Sequence, residues 1–390
     1  MLLSERIKKI KPSATLAINA KAIELKAQGI DILKFGTGEP DFDTPDNIKN
    51  AAKKALDEGF TKYTAATGIT ELKTAVCEKL KRDNGIECDN SNIIITNGGK
   101  QALFNFFMAV LNEGDEVIIP SPYWVSYSDM IAVCEGKSVF MDTTANNFKL
   151  TAEMVKEAIT PNTKVLILNS PSNPTGMMIE KNEIEAIAEL AIKHNFYVLS
   201  DEVYEYFLYD GKKMFSIASI PEMKNLAFTI NAVSKTYSMT GWRIGYIAGP
   251  TEVIKPMGNL QSHSTSNPCS IAQKAALEAI TGNQDSVKMM ADEFRKRRDF
   301  VFEEMNKIPG FKLIKPEGAF YAFPDVSGAF KGDVNDSFKF TEFLMEKAQV
   351  AVVPGGAFGE AGNNYIRFSY ASSMQDIEKG IQRIKSALEK

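Results

Sequence analysis

The chain is predicted to be an α/β protein of two domains. A large domain over residues 46–285 carries a mostly parallel seven-stranded sheet with helices on both faces. A smaller α+β domain is assembled from residues 1–45 and 286–390. Three observations lead there. The 390 residues exceed what one ordinary core organises. Seven short apolar runs alternate with helix-period segments through the middle of the chain. After residue 285 that alternation gives way to a long charged helical stretch and scattered strand-like pieces.

The seven runs cover residues 93–96, 116–120, 138–142, 164–169, 197–200, 227–231 and 244–249. They are rich in β-branched residues and bounded by Gly, Pro, Asn or Ser, as strands buried on both faces should be. Between them the apolar period becomes helical. Ile48, Ala51, Ala52, Ala55 and Leu56 form one stripe, closed by Gly59. Ile184, Ile187, Ala188, Ala191 and Ile192 form another, closed by Asn195. In the smaller domain a helix is expected over 292–305, ended by Pro309-Gly310. Strands are expected at 320–323, 351–353 and 365–370, with a helix between the first two and another at the C-terminus. The amphipathic segment 16–28 is expected to pack with this C-terminal unit. No internal repeat or low-complexity linker interrupts the chain.

Composition narrows the function. Hydrophobic residues make up 44% and charged residues 24%, ordinary values for a globular protein. The 45 basic and 49 acidic side chains leave a net charge of −4, which gives no electrostatic case for nucleic acid or an anionic membrane as partner. No run approaches the ~18 apolar residues of a membrane span. The start, M-L-L-S-E-R-I-K-K-I-K-P, lacks the apolar core of a secretory signal. Cys77, Cys88, Cys134 and Cys269 form no C-x-x-C pair, so neither zinc nor a disulfide framework is indicated, and a cytoplasmic location is expected. Of the two histidines, His194 reads as a helix C-terminal residue and His263 lies in a polar stretch without a local partner. Proton transfer is therefore expected to fall to another residue type.

That residue is Lys235, in V-S-K-T-Y-S-M-T-G-W-R-I-G-Y. A lysine can form an imine with an aldehyde carbon. Ser234 and Arg243, eight residues beyond the lysine, can hold a phosphate, which the arginine fork suits geometrically. An imine-forming lysine beside a phosphate site is what pyridoxal 5′-phosphate requires. The competing explanation is a solvated basic loop. Four further constellations follow strands, where α/β ligand sites belong. T-N-G-G-K runs from strand to glycine turn to helix, so Gly98, Gly99 and Lys100 would offer N–H groups to an anion, or form a structural turn. N-S-P-S-N-P-T-G carries Asn173 on a rigid extended turn, or simply leads into a helix. S-D-E-V-Y places Asp201 at the end of a buried strand, where it would protonate a pyridine nitrogen or cap a helix; Tyr204 follows on the same side. S-P-Y-W-V-S-Y offers Tyr123 and Trp124 for stacking on a flat ring, or as core aromatics. Arg367, in N-N-Y-I-R-F-S-Y, needs a carboxylate, from substrate or from the protein.

In this order and combination the motifs closely resemble those of the fold type I pyridoxal phosphate enzymes, specifically class I aminotransferases. The resemblance covers essentially the whole chain and is strongest to the bacterial and plastid-type aspartate aminotransferases of subgroup I-beta, some of which also use prephenate. It implies that Lys235 bears the cofactor, Asp201 pairs the pyridine nitrogen, and Asn173 and Tyr204 contact the ring oxygen. Trp124 would stack on the ring, and Gly99, Lys100, Ser234 and Arg243 would surround the phosphate. Arg367 would hold the substrate α-carboxylate with Gly38 of T-G-E-P-D-F and Asn173. Tyr63 of T-K-Y-T-A-A-T-G would reach the phosphate in the neighbouring subunit of a homodimer. Ser13, Thr15 and Lys100 would receive the distal carboxylate, and Lys11 matches the basic residue linked to prephenate use. The segment T-A-A-T-G departs from relatives that carry prolines there.

The implied reaction is ping-pong transamination of small amino and oxo acids, with Lys235, Asp201 and Tyr204 as the catalytic set. Other class I specificities (aromatic or alanine) and a C–S β-lyase stay open at this point. A non-catalytic regulator would carry an added DNA-binding domain. A dinucleotide oxidoreductase would need a G-x-G-x-x-G after an early strand, which is missing.

Overall fold

A computed structural model describes residues 3–10 and 14–389. In chain order its strands are β1 Leu33–Lys34, β2 Ile93–Thr96, β3 Glu116–Ser121, β4 Lys137–Asp142, β5 Thr163–Asn169, β6 Tyr197–Asp201, β7 Ala227–Ala232 and β8 Gly245–Ala248. They continue with β9 Tyr321–Ala322, β10 Val350–Ala351, β11 Val353–Pro354 and β12 Ile366–Ser369.

Strands β2 to β8 form one seven-stranded sheet in the order β2-β8-β7-β6-β5-β3-β4. All pairings are parallel except those of β8, which runs antiparallel to β2 and β7. Every residue of β2, β7 and β8 is buried, so both faces must be covered. Side chains on neighbouring positions point to opposite faces and join different cores. Val117, Ile119 and Ile167 pack with Leu103, Phe106 and Phe107 of the helix Gly99–Val110. Ile118, Leu166 and Leu168 pack with Ile184, Ile187 and Ala188 of the helix Lys181–His194. The chain leaves β3 outward to β4, then crosses back to β5 on the other side of β3. Such a reversal opens a crevice at the carboxyl ends of the strands.

A separate core gathers residues from both chain ends. Strands β11, β12 and β9 form an antiparallel sheet in that order, and β1 pairs in parallel with β10. Phe35, just after β1, stacks on Phe368 of β12 with ring centroids 4.2 Å apart. The helix Ala14–Ala27 packs Ala22 beside Ala351, although its apolar residues do not gather on one face as expected.

Three local expectations are corrected. The strand expected at 351–353 is two strands, because the chain passes from one sheet to the other at Val352. The helix expected from residue 292 begins at Asp285, since Val287 and Met290 extend its buried stripe. The polar stretch around His263 is the end of a helix, Thr251–Ser264, held by burial of Ile254 and Met257.

Where β8 meets the turn after β2, the backbones are in contact. A Cβ on Gly245 would lie 2.4 Å from the nitrogen of Gly99 and 2.6 Å from the carbonyl carbon of Gly98. Those are backbone atoms and cannot rotate away. Gly245→Ala is therefore expected to cost about 2–3 kcal/mol by overpacking and to weaken anion binding at the Gly99 turn. Urea unfolding with inorganic phosphate titration measures both. Unchanged stability would show that the strand and turn can separate freely.

Candidate active site

The crevice is a cleft of about 400 Å³. The chain supplies it from the carboxyl ends of β5, β6 and β7, the turns after β2 and β3, and the second core. Eleven residues singled out in the sequence meet there: Gly38, Gly99, Lys100, Trp124, Asn173, Asp201, Tyr204, Ser234, Lys235, Arg243 and Arg367.

Lys235 lies in the short helix Val233–Thr236 that begins where β7 ends. Its ammonium donates to the carbonyl oxygen of Gly38. Burial pulls its pKa down to about 8; Glu39 opposes the shift, while Arg367 and Arg243 assist it. Asp201 ends β6 and is buried. Its carboxylate accepts from Tyr127 Oη at 2.7 Å and from the Val203 N–H at 3.3 Å. Burial raises its pKa above the ordinary aspartate value, and those two hydrogen bonds oppose the rise. The backbone of Asp201 is tied to β5, because Asn169 Nδ2 donates to its carbonyl oxygen at 3.1 Å. Asn169 Oδ1 in turn accepts from the Asn173 N–H at 2.8 Å.

One end of the cleft is built for an anion. No side chain caps the helix Gly99–Val110, so its first N–H groups face the cleft unsatisfied by a cap. Arg243 stands beside them with φ 55°, a left-handed conformation rare for residues with a Cβ. Its Nη1 donates to the Thr240 carbonyl oxygen at 2.8 Å. Gly98, at φ +81°, admits the guanidinium; a Cβ there would lie 2.2 Å from Arg243 Nη2. Lys100 places its ammonium 4.9 Å from the centre of the Trp124 ring. Burial, and secondarily Arg243, lowers the Lys100 pKa.

The opposite end belongs to Arg367 of β12. Its Nη1 donates to Asn173 Oδ1 at 2.9 Å and its Nη2 to the Gly36 carbonyl oxygen at 2.6 Å. The guanidinium stacks on the rings of Tyr321 and Phe358, at 4.6 and 4.9 Å. Its Nε is buried without a hydrogen-bond partner. Burial lowers its pKa, and among the described residues no carboxylate bonds it. A buried guanidinium held only by neutral acceptors is ready for an incoming carboxylate. Tyr204 Oη lies 2.8 Å from Tyr321 Oη, linking the β6 turn to β9.

Sequence reasoning missed Tyr127, Asn169, Thr240 and Tyr321, which also line the cleft. Tyr127 follows Trp124 by three residues at a helix start, a spacing that signals a shared face. Tyr321 carries no such signal. Tyr123 does not share the cleft with Trp124; it stacks on Phe140 at 4.9 Å. Tyr63 is also outside the cleft, 91% exposed. Lys11, Ser13 and the side chain of Thr15 lie outside the described residues.

Comparison with known proteins places this geometry. A model of "Aminotransferase class I and II" matches residues 30–384. A probable aspartate/prephenate aminotransferase of Rickettsia bellii is 50% identical, over 99% of this chain and 98% of its own. An aspartate aminotransferase of a Bacillus species is 50% identical over 98% of each chain. The structure of the Thermus thermophilus aspartate aminotransferase with maleate superposes with a TM-score of 0.95 at 45% identity, covering 99% of this chain and all of that one. The chain belongs to the class I and II aminotransferases, the family that works with pyridoxal phosphate.

Proposed function

We propose that the protein transfers the amino group of L-aspartate to 2-oxoglutarate, giving oxaloacetate and L-glutamate in two half-reactions, with prephenate as a second amino acceptor. The observation that carries this is the convergence of Lys235 with the buried Asp201 and Arg367 on one cleft. Full-length identity to aspartate and aspartate/prephenate aminotransferases supports the substrate, as does the maleate of the Thermus relative, a dicarboxylate.

The residues present fit pyridoxal phosphate. The uncapped helix N-terminus, Ser234 and Arg243 suit a phosphate, and the buried Asp201 suits a protonated ring nitrogen. Gly99 and Lys100 would hold the phosphate through their N–H groups, Asn173 and Tyr204 the ring oxygen, and Trp124 the ring face. When bound, the cofactor supplies an electron-withdrawing ring that stabilises negative charge at the substrate Cα. Arg367 binds the α-carboxylate, with its orphaned Nε as one donor and Asn173 and Gly38 beside it. Lys235 Nζ takes the proton from the substrate Cα in one half-reaction and delivers one to Cα in the other. With a pKa near 8, it is far easier to deprotonate than an ordinary lysine.

Lys100, with Ser13 and Thr15, receives the distal carboxylate, and Lys11 serves prephenate. The active unit is a homodimer in the cytoplasm. Tyr63 of one chain completes the phosphate site of the other, which accounts for a large aromatic left open to solvent in the single chain.

The decisive assay is amino transfer from aspartate to 2-oxoglutarate, repeated with Lys100→Ala. The variant is expected to lose about ten- to a hundredfold in kcat/KM for aspartate and much less for alanine, as a charge-assisted bond is lost. An unchanged aspartate-to-alanine ratio would remove Lys100 from recognition. Ammonia and pyruvate in place of glutamate would identify a lyase. The shared site is checked by mixing two inactive variants, Tyr63→Arg and Lys235→Ala, under conditions of subunit exchange. Activity should partly return in hybrids that hold one intact site. No recovery after demonstrated exchange would place the whole site within one chain.

A further inference from the structure

Behind the cleft, where β6 and β7 end, lies a set of charged and polar groups that transamination does not use. Lys79, Asn84, Glu202, Glu205 and Asn231 are all buried. The Glu202 carboxylate accepts from Ser200 Oγ at 2.8 Å, Ser216 Oγ at 2.7 Å and Asn84 Nδ2 at 2.8 Å. Glu205 accepts from Asn84 Nδ2 at 2.7 Å and from Lys79 and Asn231. Lys79 also donates to Asn84 Oδ1 at 2.7 Å. Lys79 closes the helix Thr70–Lys79, and the chain continues in a π turn, Leu80–Asn84. That turn brings Asn84, five residues on, against Lys79, while Asp83 remains at 3.8 Å. Single π turns inside helices are frequent at functional sites.

Two features tie this set to the cleft. Each member on the sheet side adjoins a cleft-lining residue: Glu202 follows Asp201, Glu205 follows Tyr204, and Asn231 precedes Ala232. The set also takes over where backbone pairing stops. The β6–β7 register ends at Asp201 and Ile230, and the last backbone bond runs from the Glu202 N–H to the Ile230 carbonyl oxygen, 2.9 Å. Beyond it Asn231 Nδ2 donates to the Glu202 carbonyl oxygen at 3.2 Å, and Asn231 Oδ1 accepts from the Ala232 N–H at 2.8 Å. Three residues later stands Lys235. Buried ionic groups contribute little net stability compared with apolar residues of the same size, so stability alone gives weak reason for them here. Burial, with Glu205 alongside, pushes the Glu202 carboxyl up to about 7.

We propose that Lys79, Asn84, Glu202, Glu205 and Asn231 form a positioning network that fixes the spacing of the β6 and β7 ends, and through it the placement of the Asp201 carboxylate relative to Lys235 Nζ. The inference rests on the reading of Asp201 and Lys235 given above, and its test separates the two. Glu202→Gln keeps size and shape but turns one acceptor oxygen into an NH2 group, so one present donor loses its acceptor. In the cofactor-free protein, amide exchange at residues 201–205 and 231–235 should quicken about tenfold. In the loaded protein the pH midpoint of the cofactor's visible band should move. At the same time kcat should fall about five- to tenfold with KM for aspartate within about twofold. The paired variant Lys79→Met with Glu205→Gln removes both charges of that ion pair together and should give the same three changes. Variants that fold with exchange, band midpoint and kcat as in the wild type would overturn the proposal, as would a fall in thermal stability alone. A wild type without transaminase activity would sink the proposed reaction, and the exchange rates would still decide for or against the network.

Discussion

The architecture depends on partly withdrawing one amine from water. Lys235 is half-buried beside Arg367 and Arg243, and desolvation outweighs the help of Glu39 in holding its charge. A lysine in water is almost wholly protonated at neutral pH and a poor nucleophile. Inside this cleft, with its pKa lowered to about 8, it gives up its proton far more readily, and the sheet is the reason. The short helix that carries it starts directly at the end of β7, and β7 is buried along its whole length. Exposing that strand end would return Lys235 to ordinary basicity.

The same strand ends explain how the other groups converge. Crossing from β4 back to β5 leaves a gap at the carboxyl edge, and the turns after β2, β3 and β5 fall around it. Asn169 then acts as a strut between β5 and β6, bonded to Asp201 on one side and Asn173 on the other. Asn173 passes the connection to Arg367, which belongs to a different sheet. Asp201, at the edge of the large sheet, and Arg367, in the other core, are thus joined by one chain of hydrogen bonds. Tyr204 and Tyr321 make a second such link.

Much of this was legible in the sequence. Strands buried on both faces are continuous apolar runs with little ambiguity, so all seven of the large sheet were found within a residue or two at each end. The cleft residues were found where they sit in strand-turn-helix motifs with a chemical logic of their own. What escaped detection depends on tertiary contact. Val352 reads as part of a strand, and only the division between two sheets breaks it. Tyr321 enters the cleft from a two-residue strand with no motif. The Lys79–Asn84 pair is hidden because a π turn replaces the four-residue helical spacing by five.

The central claim is that burial makes Lys235 the reactive amine. The direct measurement is the pH dependence of imine formation between the cofactor-free protein and added pyridoxal phosphate, trapped with borohydride and mapped by peptide sequencing. The account predicts label on Lys235, at a rate that rises with pH and levels off with a midpoint near 8, as the ammonium loses its proton. Label on another lysine, or a rate still climbing toward the ordinary lysine pKa of about 10.4, would contradict it.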